Sequence, residues 1–166
     1  MDWMKNDDLF FKELEAGHSW AQYVADRLNS LDVACYATDM EKRKSLSDRA
    51  RFQNEKDVVL TKMSGCIEVK SRRLRFSDVP SSFPMDSAFV DTVSGWARKS
   101  PRPLAVCVVS QLTGSILVIP VSSEDSWGSV TKFDRVRKIE ETWLTADRRL
   151  MKPFAELVSW LKARQV

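Results

Sequence analysis

The chain has 166 residues, of which 43% are hydrophobic and 30% charged, a size and balance that suit one globular domain with a full core and argue against disorder as the main state. A net charge of +3 and a pI of about 8.8 are too modest to mark a nucleic-acid binder by themselves, so the distribution of charge matters more than its sum. No apolar run approaches a membrane span and the acidic, polar N-terminus lacks the basic-then-apolar order of a signal peptide, so a soluble cytoplasmic protein without a membrane partner is expected.

Phe10, Leu14, Gly17, Ala21, Val24 and Leu28 form a helical stripe, which predicts a helix from about Asp8 to Asn29 with an interruption at Gly17. Leu31 to Thr38 is short and apolar enough for a first strand, and the basic, polar segment from Asp39 to Lys56 reads as a loop or arm. Val58-Val59-Leu60 and the run around Glu68 are predicted strands, folded together as a hairpin by Lys62-Met63-Ser64-Gly65. Ser77 to Pro84 carries two prolines and several serines and is expected to be a loop, positioned as a substrate-side flap.

Ala88 to Asp91 is ambiguous between helix and strand, and Asp91 or Thr92 caps a short helix reaching Lys99 with Val93, Trp96 and Ala97 inward. Leu104 to Ser110 and Ser115 to Val121 are continuous β-rich runs joined by the turn Gln111-Leu112-Thr113-Gly114, which predicts two central strands. After a polar linker from Ser122 to Ser129, Phe133 to Leu144 shows mixed signals. Pro153 opens a last amphipathic helix with Phe154, Leu157, Val158 and Leu161 inward. Cys35, Cys66 and Cys107 are odd in number and lie in apolar segments, which predicts buried free thiols and neither a disulfide framework nor a zinc site.

The chemistry-bearing pattern is Asp57, followed eleven positions later by Glu68-Val69-Lys70, the only acidic-x-Lys tripeptide in the chain. Residues two apart on a strand share a face, so Glu68 and Lys70 project together while Val69 points into the core. Two carboxylates beside one ammonium suit phosphodiester hydrolysis: Asp57 and Glu68 offer hard oxygen ligands for Mg²⁺ or Mn²⁺, the carbonyl of Val69 is a further ligand, and Lys70 holds or helps deprotonate water. The plain alternative is a surface hairpin on which Glu68 and Lys70 pair.

Basic residues gather at Lys42-Arg43-Lys44 with Arg49 and Arg51, at Lys70 with Arg72, Arg73 and Arg75, and at Arg135, Arg137 and Lys138. Such clusters beside a metal site would attract phosphates with strong salt dependence, so Arg72, Arg73, Arg75 and Gln111 are the DNA-contact candidates. Of the six tryptophans, Trp20, Trp96 and Trp160 are expected in the core and Trp127, in a Ser/Gly-rich linker, at the surface, where it would be available to stack on bases.

The predicted elements make an α/β fold, with helices packed around a central mixed sheet and a C-terminal helix. With Asp57 opening the second strand and Glu68-Val69-Lys70 within the third, residues 8 to 121 resemble the PD-(D/E)xK nuclease superfamily, the restriction-endonuclease-like α/β/α sandwich; residues 122 to 166 are then a C-terminal extension of a single domain. The blocks Lys70-Ser71-Arg72, Phe89-Val90-Asp91-Thr92-Val93-Ser94-Gly95-Trp96 and Val109-Ser110-Gln111-Leu112-Thr113-Gly114 are similar to small phage-type members, which would place the protein in a host cytoplasm.

The resemblance implies metal-dependent DNA cleavage in replication, recombination or processing, with Asp57 and Glu68 as ligands and Lys70 as the water-orienting cation. Two positions depart from the family pattern. Lys56 stands where a proline is usual, and Ala21 and Gln22 stand where many members carry an acid on the first helix, so Glu15, His18 or Gln22 is expected to complete the site. The alternatives are a catalytically silent DNA-binding protein and an interaction protein on the same fold. A homodimer with the C-terminal helix, through Trp160 and Leu161, as its contact is also open.

Overall fold

The computed structural model describes residues 19–38 and 56–166. The expected helix start, Glu15, His18 and nearly all of the basic segment from Asp39 to Lys56 lie outside the described residues.

Within the described residues, α1 spans 19–30, and Ala21, Val24, Ala25 and Leu28 form its buried stripe. The helix stops where Asp32 takes a left-handed φ of 67°, and the Asn29 side chain closes the corner by donating to the Cys35 carbonyl and accepting from the Cys35 N–H. Then follow β1 (Cys35–Ala37), β2 (Val58–Leu60), β3 (Cys66–Arg72), β4 (Ser87–Thr92), the short helix α2 (Val93–Ala97), β5 (Ala105–Ser110) and β6 (Ile116–Pro120). The chain ends with β7 (Gly128–Asp134), β8 (Ile139–Asp147), β9 (Lys152–Pro153) and helix α3 (Phe154–Lys162).

These elements build two sheets. A six-stranded mixed sheet has the order β1-β2-β3-β5-β6-β9, with β3 and β5 parallel and the other pairs antiparallel. A three-stranded antiparallel sheet has the order β4-β8-β7. Alternation along the central strands sorts the core into two. Ile67, Cys107, Val109 and Val118 face α1 and α3, whereas Val106, Val108, Leu117 and Ile119 face Phe83, Ala88, Trp96 and Ala146 of the second sheet and its loops. β5 is buried on both faces, as a continuous apolar run requires.

The mixed α/β class, the two central strands, the hairpin and the C-terminal helix agree with the sequence, and α3 buries Phe154, Leu157, Val158 and Leu161 as its spacing demands. All three cysteines are free and buried; burial pushes the Cys107 thiol up to about 12 and, with help from Asp26, the Cys35 thiol up to about 11. No helix among the described residues is long and apolar enough to cross a membrane.

Several local expectations are corrected. The first strand is confined to Cys35–Ala37, because Leu31 and Asp32 form the turn that ends α1. The ambiguous stretch at Ala88 is strand β4, and the mixed stretch from Phe133 to Leu144 is most of the β7–β8 hairpin, so the second covering layer is a sheet where helices were expected. The proline- and serine-rich segment is pinned by Phe76 and Phe83 in the core and is no free flap. Val93 and Ala97 face solvent on a helix too short to bury more than Trp96. Trp127 packs against Trp96 with centroids 5.2 Å apart and donates to Ser123, whereas Trp160 is the exposed one at 41%. Leu161 is fully buried inside the chain's own core and is not available to a partner.

Gly65 holds the carboxylate hairpin together. Its φ is +138°, its carbonyl accepts from Leu60 N–H at 3.1 Å, and a Cβ there would sit 2.6 Å from Leu104 Cδ1. Gly65→Ala is therefore expected to lower unfolding free energy by about 2 kcal/mol in urea titrations, and a loss below about 0.5 kcal/mol would mean the turn relaxes freely.

Candidate functional site

β3 carries the site on one face. Cys66, Glu68, Lys70 and Arg72 alternate with Ile67, Val69 and Ser71, and the hairpin register places Asp57, just ahead of β2, opposite Glu68. Asp57 is fixed from two sides. Its carbonyl accepts from the Thr38 N–H at 3.2 Å, and its Oδ2 accepts from the Val69 N–H at 2.8 Å. The N–H and C=O of one strand residue share an edge, so the Val69 carbonyl faces the same side as Asp57. The hairpin thus brings two carboxyls and one carbonyl together, as the sequence spacing implied.

Two further residues join them. Glu68 Oε1 lies 3.2 Å from Lys70 Nζ and 3.1 Å from Lys99 Nζ, while Asp91 Oδ2 lies 3.6 Å from Lys99 Nζ and 3.9 Å from Lys70 Nζ. Asp91 comes from the end of β4, where a bulge between Phe89 and Asp91 shifts its register, and its Oδ1 accepts from Thr92 N–H at 2.8 Å. Thr92 caps α2 by accepting from the Gly95 N–H. A Cβ at Gly95 would meet Thr92 Oγ1 at 2.8 Å and Asp91 Oδ1 at 2.9 Å, so the cap and the carboxylate share one tight corner.

Electrostatics follow from this crowding. Burial and the neighbouring Glu68 charge push the Asp57 carboxyl up to about 7, against the opposing pull of the Val69 N–H, Lys70 and Lys99. Burial works against the Lys70 ammonium, yet Glu68, Asp91 and Asp57 together hold it above its ordinary range. Arg72 is lowered by burial despite Asp91, and its guanidinium donates to the carbonyls of Phe89 and Ser71.

Other sequence candidates fall elsewhere. Gln22 is exposed and donates to Asp26 on α1, which packs on the opposite face of the sheet from Glu68 and Lys70. Arg73 and Arg75 are exposed beyond the end of β3, and Gln111 donates to Ser71 Oγ at 2.9 Å. Asp91 and Lys99 are the site residues that sequence reasoning missed. Asp91 read as a helix cap, although a carboxylate inside the apolar run Ser87–Thr92 was a signal; Lys99 carries no pattern, since only the fold returns it to Glu68. Comparison with protein-family models, curated proteins and solved structures gives no match.

The oxygen set suits a hard divalent cation: Asp57 and Glu68 are adjacent like charges, and the Val69 carbonyl faces the same edge. No group of three or more His, Cys, Asp or Glu side chains placed to hold a metal ion occurs among the described residues, so such a cation would rest on two carboxylates, a carbonyl and water.

Lys99 is 12% exposed at its side chain and bridges two carboxylates. Lys99→Met is expected to cost about 3 kcal/mol, the lower end for breaking a buried pair because Lys70 remains. A denaturant midpoint indistinguishable from the parent would show that Lys99 is dispensable to the cluster.

Proposed function

We propose that the chain is a divalent-metal-dependent deoxyribonuclease built on a restriction-endonuclease-like sheet. The observation that carries the reading is the convergence of Asp57, Glu68 and the Val69 carbonyl at the β2–β3 hairpin with Lys70 beside them. Asp57 immediately ahead of the second strand and Glu68-Val69-Lys70 within the third support it, as does the mixed sheet that holds them.

Mg²⁺ or Mn²⁺ bound by Asp57, Glu68 and Val69 would polarise the scissile phosphate and make bound water acidic enough to attack. The chain's own groups then do the rest. Lys70, kept cationic by Glu68 and Asp91, donates a hydrogen bond to the attacking water or a phosphate oxygen and offsets charge as it builds there. Asp91 and Lys99 position Lys70 and Glu68 without touching the substrate. Arg72 lies next along the same face of β3, and it would meet a flanking phosphate with the guanidinium donors left over from its bonds to the Ser71 and Phe89 carbonyls.

A second reading keeps DNA binding and drops catalysis. It is favoured by the pairing of Glu68 with two ammoniums, which satisfies the carboxylate from within the chain.

The test is cleavage of plasmid, linear duplex, single-stranded and branched DNA with Mg²⁺, Mn²⁺ or EDTA. The parent protein is expected to cut only with metal, and Asp57→Asn, Glu68→Gln and Lys70→Met are each expected to lower the rate by at least about 10²-fold while circular dichroism stays unchanged. Undiminished cutting by all three variants would remove the site from the chemistry. Metal-independent binding without cutting on any substrate would leave the silent reading.

A further inference from the structure

Each sheet ends at two edges, and an unpaired edge presents N–H and C=O groups to whatever strand comes next. Three of the four edges among the described residues are short or occupied. β1 has three residues and β9 two, and the outer side of β4 is met by Arg72, which donates to the Phe89 carbonyl at 2.9 Å. The fourth, β7, is seven residues long and exposed from Gly128 to Phe133. It lacks the features that usually blunt an edge. It contains no proline, its register against β8 runs unbroken from Gly128 to Asp134, and Lys132 carries its ammonium away across β8, to 4.2 Å from the centre of the Phe89 ring.

The turn fixes which side of each residue is free to pair. The Asp134 carbonyl accepts from the Lys138 N–H at 2.7 Å and so points into the hairpin. Alternation then turns the N–H and C=O of Phe133, Thr131 and Ser129 outward, where no described residue meets them. Val130 and Phe133 add exposed apolar surface, at 37% and 59%.

A second copy of the chain brings the same outward groups to this edge. A twofold axis normal to the sheet makes the pairing antiparallel, and outward groups meet only when the axis passes through a residue rather than between two. An axis at Thr131 pairs the whole strand: Thr131 with the partner's Thr131, Val130 with the partner's Lys132, Ser129 with the partner's Phe133 and Gly128 with the partner's Asp134. No like charges face each other, Val130 lies against a lysine stem, and the small Ser129 leaves room for a phenyl ring. An axis one residue further on, at Lys132, would set two ammoniums directly opposite.

We propose that β7 is a homodimerisation edge, at which two copies pair antiparallel about Thr131 and join their three-stranded sheets into one continuous sheet. The inference is independent of the nuclease reading. A single strand edge is a small contact beside the roughly 1,200–2,000 Å² of stable interfaces, so the dimer is expected to be weak, with a Kd on the order of 10–100 μM.

The test is sedimentation equilibrium of the full chain across about two decades of concentration around that Kd. The average mass is expected to climb from the 19.0 kDa monomer toward twice that value. Thr131→Pro removes an outward N–H without touching the pairing with β8, and Thr131→Lys places two like charges at the axis. Each is expected to weaken association at least about tenfold with the far-UV circular dichroism unchanged. Thr131→Lys keeps every backbone group, so it decides the matter where the proline disturbs the strand. A parent that stays monomeric throughout, a mass that climbs past twice the monomer, or association undiminished by Thr131→Lys would overturn the pairing.

Discussion

The placement of a carboxylate inside the sheet governs the rest of this structure. Glu68 is 7% exposed on a strand hydrogen-bonded on both edges, and an isolated charge there would cost several kcal/mol after relaxation. Two ammoniums at 3.2 and 3.1 Å compensate it, one from the same strand and one from far along the chain. Lys99 reaches Glu68 only because β4 and α2 cross the sheet and bring the chain back. The bulge before Asp91, the Thr92 cap and the glycine at 95 are the local devices that deliver it.

The same strand divides the molecule. Ile67 and Val69 turn toward α1 and α3, while Glu68 and Lys70 turn toward the second sheet, so one face of β3 is apolar packing and the other is charge. Beyond the charged stretch, Val106, Val108, Leu117 and Ile119 restore an apolar surface for Trp96, Phe83 and Ala146. The cluster therefore sits at the margin of the second core and beside a groove lined by Lys70, Arg72 and Asp91, where water and a ligand can reach Lys70 from one side. The flank of the cluster at Lys70 thus stays open.

Legibility in the sequence followed how local each signal was. The β2–β3 hairpin, the β5–β6 pair and α3 rest on short-range patterns: Gly65 in a turn, unbroken Val/Ile/Leu runs, and a Pro153 start with apolar spacing of three and four. β7 and β8 hid because their turn, Arg135 to Lys138, uses Lys138 at φ 57° where glycine or asparagine would have marked it, and because exposed Val130 and Phe133 spoil the alternation of a half-buried strand. The pairing of Asp57 with Glu68 and Lys70 was legible from strand periodicity. Asp91 and Lys99 were not, since their partners are set by tertiary return and no spacing records it. Gln22 misled for the converse reason: helical spacing fixed its flank, but not which face of the sheet the helix would cover.

Charge counting in the cluster shows what distinguishes the two readings of the site. Three carboxyls, Asp57, Glu68 and Asp91, face two ammoniums, Lys70 and Lys99, with Arg72 adding its field mainly at Asp91. The three carboxyls and three cations balance when all are ionised, yet Asp57 is the carboxyl with no ammonium in direct contact among these pairs, and burial first and the Glu68 charge second push it up to about 7. A proton on Asp57 relieves its repulsion with Glu68, and on the proposed nuclease reading a divalent cation between the two would do the same. Asp91 shares both Lys70 and Lys99 with Glu68, so neither ammonium depends on Glu68 alone for its counter-charge. On the nuclease reading Asp91 would keep hold of Lys99 if Glu68 turned to a metal ion, whereas on the silent reading the same shared lysine serves to neutralise the buried Glu68.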